Sequence, residues 1–268
     1  MGPGAPRVHP RLGRIDQYRE SMPKKYSNPP IIEAVCEFRL APETHWDLTV
    51  PGLLYEKLKG EYPNKREVRL IEEIQFNTLE KGQPLQIRQS ERIQFLANNE
   101  KRFIQVGPRI LAINILKPYP HWEVFQPQIA KAIRGLNEIA PINKFQRIGL
   151  RYINKIEIPK GAEISDYFEF RPFLGNCLKE NIFSEISLGC SFSFSNSKEI
   201  CRTNLKSVAP ERENFDAYIL DFDYYLNRPH SMSISEAVKW VEMAHQRIEN
   251  LFEGCIKDNL RKSFGEND

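Results

Sequence analysis

Between Ser233 and Leu260, apolar residues recur at Ile234, Ala237, Val241, Ala244, Ile248, Leu251, Phe252 and Ile256. A helical stripe of that length must be buried against another layer, so the chain needs a sheet or a second helix to cover it. Ser233 with Glu236 supplies a capping box at the start of this helix. A second stripe, Trp122, Phe125, Ile129, Ala132, Ile133 and Leu136, runs through His121 to Ile139 and ends before Pro141.

Strand signals precede each stripe. Ile31 to Leu40 reads as a strand and Trp46 to Lys59 as a short helix. A β-rich block follows, with runs at Val68 to Thr78, Leu85 to Gln89, Arg92 to Ala97, Phe103 to Val106 and Ile110 to Leu116. Turn signals at Lys81-Gly82, Asn98-Asn99 and Gly107-Pro108 are short, which favours antiparallel hairpins. Beyond Pro141, Phe145 to Ile158 is a long strand and Ile164 to Leu174 a short helix. Phe183 to Phe194, Ile200 to Val208 and Phe215 to Leu226 are further strands.

Residues 31–139 and 145–260 therefore share an order: strand, short helix, antiparallel strands, long helix. The expectation is an α+β chain built from a duplicated β-α-β(n)-α unit, a curved antiparallel sheet covered on one face by two long helices. By analogy of element order this is a TATA-binding-protein-like architecture, which fixes no function. The expected halves are residues 22–140 and 141–268, packed as one unit. Residues 1–21 have four arginines, several glycines and prolines and no hydrophobic period. They read as a tag, upstream sequence or flexible arm, with Met22 the natural start.

The formal net charge of +3 comes largely from those arginines, and the remainder is nearly balanced, unlike a duplex binder that neutralises phosphates. Five cysteines, Cys36, Cys177, Cys190, Cys201 and Cys255, lie far apart with no CxxC pair, so neither a disulfide framework nor a zinc site is expected. No apolar run approaches a membrane span and the N-terminus lacks a signal-peptide core, so a cytoplasmic location is expected.

The stretches NPPIIEAVCEF near the start, Tyr119-Pro-His-Trp122, Gly149-Leu-Arg-Tyr-Ile-Asn154, Leu220-Asp-Phe-Asp223 and His245 to Ile256 together resemble a sporadically distributed prokaryotic family of about this length. The resemblance covers roughly Met22 to Phe264. It implies a bacterial or archaeal origin, and it supplies no established activity and no catalytic residue.

Several residues are candidates for chemistry. Asp221 and Asp223, two apart on a strand, point to one face as a divalent-metal site requires; with Arg151 as a phosphate clamp and Glu37 as a further acid they outline a metal-dependent enzyme acting on nucleic acid or nucleotides. Arg151 and Lys155 share a strand face, so cross-strand ion pairing with the two aspartates is the simpler account. His245 lies at helical spacing from Glu242 and Glu249, but it and His121 are expected to be edge or capping residues. Cys36 and Cys190 fall in apolar strands and read as buried thiols. GxSxG, GxxxxGK[ST] and GxGxxG are all absent from the sequence.

Alternation places Gln75, Gln86, Arg88, Gln94, Gln105 and Asn114 on polar strand positions, a face of amides and a guanidinium suited to hydrogen bonding or simply to solvent. Tyr218, Phe222 and Tyr224 share another strand face, as a stacking platform or as packing under a helix. The leading expectation is a non-enzymatic binding or interaction protein of an accessory system such as defence or toxin neutralisation, without metal or cofactor. Its expected partner is another protein, with single-stranded nucleic acid or a small polar ligand as alternatives. The enzyme outlined above is the competing reading.

Overall fold

Strict alternation writes the first strand, β1 (Ile31–Leu40), whose Ala34, Cys36, Phe38 and Leu40 are buried on one face while Glu33, Glu37 and Arg39 take the other. The structure, a computed structural model, describes residues 25–74, 86–173, 175, 183–194, 198–227 and 232–265, without the side chains of 70–74 and 86–90. After β1 come α1 (Val50–Leu58), β2 (Asn64–Ile74), β3 (Gln86–Leu96), β4 (Arg102–Gly107), β5 (Ile110–Leu116) and α2 (Trp122–Ile139). The second half holds β6 (Phe145–Pro159), one 3₁₀ turn (Ile164–Asp166), β7 (Ser187–Phe194), β8 (Glu199–Val208), β9 (Phe215–Asn227), α3 (Ile234–Cys255) and α4 (Asp258–Ser263).

The nine strands form one antiparallel sheet in the order β2-β3-β4-β5-β1-β6-β9-β8-β7. The halves join at β1 and β6, where Val35 lies opposite Arg151 and Glu37 opposite Gly149. The chain is thus α+β with a large open sheet. Helix α2 packs on β5 and on α3, α3 packs on β6 and β9, and α1 packs on α2, so these helices occupy one face. A single apolar core runs through residues of both halves beneath them. No helix among the described residues is long and apolar enough to cross a membrane.

The capping box of α3 is present: Ser233 accepts from the Glu236 amide, and the Glu236 carboxylate accepts from the Ser233 amide. Phe222 and Tyr224 are fully buried under α3, with Tyr224 against Trp240 and Phe222 against Phe252, so they are packing and not a platform.

Two expected helices change for one shared reason. Ile256 adopts an extended backbone and bridges Phe168, with the Glu169 amide donating to the Cys255 carbonyl and the Lys257 amide to the Tyr167 carbonyl. That bridge ends α3 at Cys255, so Ser233 to Leu260 is not one helix. It also takes Phe168 into the bridge, directly after Tyr167 closes a 3₁₀ turn onto Ile164, so only that turn remains of the helix expected at Ile164 to Leu174. The first short helix begins at Val50 and not Trp46, because Asp47 accepts from the Thr49 amide and hydroxyl and turns the chain, with a proline in the helix's first turn. The two runs expected at Leu85 to Gln89 and Arg92 to Ala97 are one continuous strand, β3, paired to β2 from Ile74 back to Asn64. Cys36 is buried, but Cys190, on the edge strand β7, is exposed because nothing among the described residues pairs beyond it.

Candidate functional site

The helix-free face of the sheet gathers most residues singled out in the sequence. Arg151 binds Asp221 through two hydrogen bonds of 2.8 Å, reaching diagonally past Asp223, which lies directly opposite it. Arg147 donates to Glu37 at 3.0 Å and to Asp223 at 2.6 Å, and Arg39 adds a 2.7 Å contact to Glu37. Lys155 turns instead to Glu211. Burial works against ionisation of Glu37, but Arg39 together with Arg147 and Arg92 outweighs it and holds the carboxyl below its ordinary value. Asp221, Asp223 and Glu37 thus each face a guanidinium. Among the described residues no group of three or more His, Cys, Asp or Glu is placed to hold a metal ion.

The amides meet on the same face. Gln94 lies opposite Gln105; Gln105 donates to Asn114 at 3.2 Å, Asn114 to Glu33 at 2.8 Å, and Arg66 to Gln94 at 2.6 Å. Asn114 is only 2 % exposed and Gln94 7 %, while Gln105 and Glu33 are half-buried and Arg66 is exposed, so the network is buried at its centre and open at its edge. The Gln105 Oε1 atom is buried with no hydrogen-bond partner. Gln86 and Arg88 pair with Ile74 and Glu72 along β3, but their side chains, like all of Gln75, lie outside the described residues.

A different arrangement appears on the helix side. The approach to β1, the loop before α2, β6 and the middle of α3 enclose a cleft of about 240 Å³. Tyr26 seats one wall, its ring edge-on to Phe252 and Phe264, and the neighbouring backbone bonds to Phe264 and Gly265. Tyr152 and Asn154 come up from β6, where alternation aims them at the helices. Glu242, His245, Gln246, Glu249 and Glu253 follow one another down a single face of α3.

His245 is the centre of this site, contrary to its expected place at an edge. It is 7 % exposed, stacked on Trp122, and bonded at Nδ1 to the Tyr152 hydroxyl (3.0 Å), which meets the Tyr119 hydroxyl at 3.2 Å. Its Nε2 lies 3.2 Å from Glu249. Burial pushes both tyrosine hydroxyls well above their ordinary pKa, so they stay protonated and can only pass a hydrogen bond along. With Glu249 accepting from Nε2, Nδ1 accepts from Tyr152 and Tyr152 from Tyr119.

The Trp122 indole donates to Glu242 at 2.8 Å, and Lys25 pairs with Glu123 at the rim. His121 stands at the N-cap of α2 without a side-chain cap bond, its backbone at φ 76 and ψ 164, a region almost restricted to glycine. Pro29, Pro30, Tyr119, Trp122, Tyr152, Asn154 and His245 lie far apart along the chain and converge on one cleft. What hid His245 was the absence of a metal-ligand spacing around it. The hydrogen-bonding partner Tyr152 is 93 residues away. No protein-family model matches the chain, and no curated protein matches it either.

Proposed function

We propose that this chain is a non-enzymatic binding protein of a prokaryotic accessory system, such as defence or toxin neutralisation, and that it seats its ligand in the cleft between α2, α3 and the approach to β1. One observation carries the reading. Sequence-distant stretches meet around a concave space whose polar groups are held by buried partners, which is the pre-organisation that binding needs. The competing metal-dependent enzyme with Asp221, Asp223 and Arg151 has less support, because those acids already hold arginines. Photo-crosslinking in native host cells tests the placement, with the reactive residue at Gln246 on the cleft rim or at Lys206 on the helix-free face. A species trapped from position 246 and not from 206 supports the cleft.

The helix-free face is a second reading, favoured by its row of amides, where Gln94 lies opposite Gln105 and Gln105 donates to Asn114. Crosslinks from Lys206 alone would move the function there. We also read the halves as copies of one unit in a TATA-binding-protein-like arrangement. In support, β1 sits beside β5, the last strand of its half, as β6 sits beside β9, and the halves meet through antiparallel β1 and β6. Superposition of residues 31–139 on 145–255 tests this.

A further inference from the structure

Resting on the cleft as the ligand seat, we infer that its ligand is an organic cation, an ammonium or guanidinium group on a short apolar stem. The charge pattern points there first. Glu242 accepts from the Trp122 indole and the Gln246 amide, both uncharged donors, so no cation among the described residues neutralises it. Glu249 lies seven residues further along α3, on the same face and about 10 Å away at helical rise. With the rim cation Lys25 already paired to Glu123, these two carboxylates flanking a partly enclosed space lower the free energy of a cation placed between them.

The floor supplies an independent observation. Asn154 is 2 % exposed, lines the cleft, and donates its Nδ2 to the Leu220 carbonyl at 2.9 Å, while its Oδ1 takes no hydrogen bond among the described residues. An acceptor facing a cavity without a protein donor is matched by a donor from the ligand, and ammonium and guanidinium groups are donors only. The walls add aromatic surface from Tyr26 and Trp122 against which an alkyl stem or a cation can rest. A volume of about 240 Å³ falls below the roughly 300 to 1,000 Å³ of pockets that take drug-sized molecules, so one such group fills it.

Titration of the isotope-labelled full chain with n-butylguanidinium, n-butylamine, n-butanol and n-butyrate tests the assignment. The readout is the Trp122 indole N–H resonance, identified by its loss in Trp122→Phe. The two cations are expected to shift it and butanol and butyrate to leave it unmoved. Glu242→Gln and the rim change Gln246→Lys should each weaken butylguanidinium about tenfold, the first by removing a facing carboxylate and the second by adding a like charge at the rim. Gln246 is exposed, so Gln246→Lys keeps the test valid if Glu242→Gln fails to fold. A blocked Gly-Gly-Arg-Gly-Gly peptide separates the sources: tighter binding than butylguanidinium assigns a partner's side chain, weaker binding a free small cation. Butyrate or butanol shifting the resonance in place of the cations overturns the cation and leaves the cleft as a seat. Silence from all probes at millimolar concentration overturns both.

Discussion

The rings of Trp122 and His245 lie stacked, 16° from parallel with centroids 4.0 Å apart, and this contact fixes the first turn of α2 against the middle of α3. The stack holds the imidazole edge toward Tyr152, so packing and hydrogen bonding at this histidine can be separated. His245→Phe keeps an aromatic face for Trp122 and removes the acceptor of the buried Tyr152 hydroxyl. It should cost about 1 to 3 kcal/mol, or roughly 2 to 12 °C in melting temperature at about 2 to 4 °C per kcal/mol. Tyr152→Phe made in the His245→Phe background should cost less than in the wild type, since the shared bond is already gone. Melting curves of the four proteins give the cycle, and additive losses would refute the bond.

Arg147 bridges two carboxylates where Arg151 holds one. Its guanidinium serves Glu37 and Asp223 at once, and all three side chains are about one-fifth exposed or less. Arg147→Met leaves Glu37 with Arg39 and strips Asp223 of its hydrogen-bonded guanidinium, and should destabilise by about 1 to 3 kcal/mol in urea unfolding. Arg151 is 47 % exposed, so solvent screens its pair with Asp221 and Arg151→Met should cost less. Arg147→Lys should recover only part of the loss, because an ammonium cannot reach both acids with a planar fork.

Acidification should expose the same network. The folded-state pKa of Glu37 lies below its ordinary 4.5, so its contribution is present above that value and is lost as pH falls through the lower folded value. The melting temperature is therefore expected to fall between about pH 5 and about pH 3, and Glu37→Gln should show a shallower fall over that window. An equal slope in both proteins would place the acid sensitivity elsewhere.

How much of this was legible depended on whether the cause was local. The α3 stripe and its capping box, the α2 stripe and the central strands follow from residues within a few positions of each other, and all appear where periodicity puts them. The break at Ile256 did not show, because its cause is Phe168, far away along the chain. The same holds for the sites. Alternation correctly put Gln94, Gln105 and Asn114 on one face, yet not their burial, which depends on neighbours across five strands. His245 read as an edge residue because two of its partners, Trp122 and Tyr152, come from other elements, and only Glu249 lies on its own helix.

Cysteine reactivity provides a last test of how the sheet is covered. Cys36 and Cys201 sit on the helix-facing side of β1 and β8, and Cys255 closes α3, all three buried. Burial pushes the thiols of Cys201 and Cys255 up to about 12 and that of Cys36 well above its ordinary value, so almost no thiolate forms at mildly alkaline pH. Cys190 differs because β7 is the last strand of the sheet and its side chains stand largely in solvent. In a Cys177→Ser background, which removes the one cysteine outside the described residues, a thiol reagent at about pH 8 should titrate a single fast group in the native protein. Denaturant should release the other three, and Cys190→Ser should abolish the fast phase. Rapid labelling at Cys36 or Cys201 would mean that α2 and α3 do not cover the sheet as the buried stripe on each helix requires.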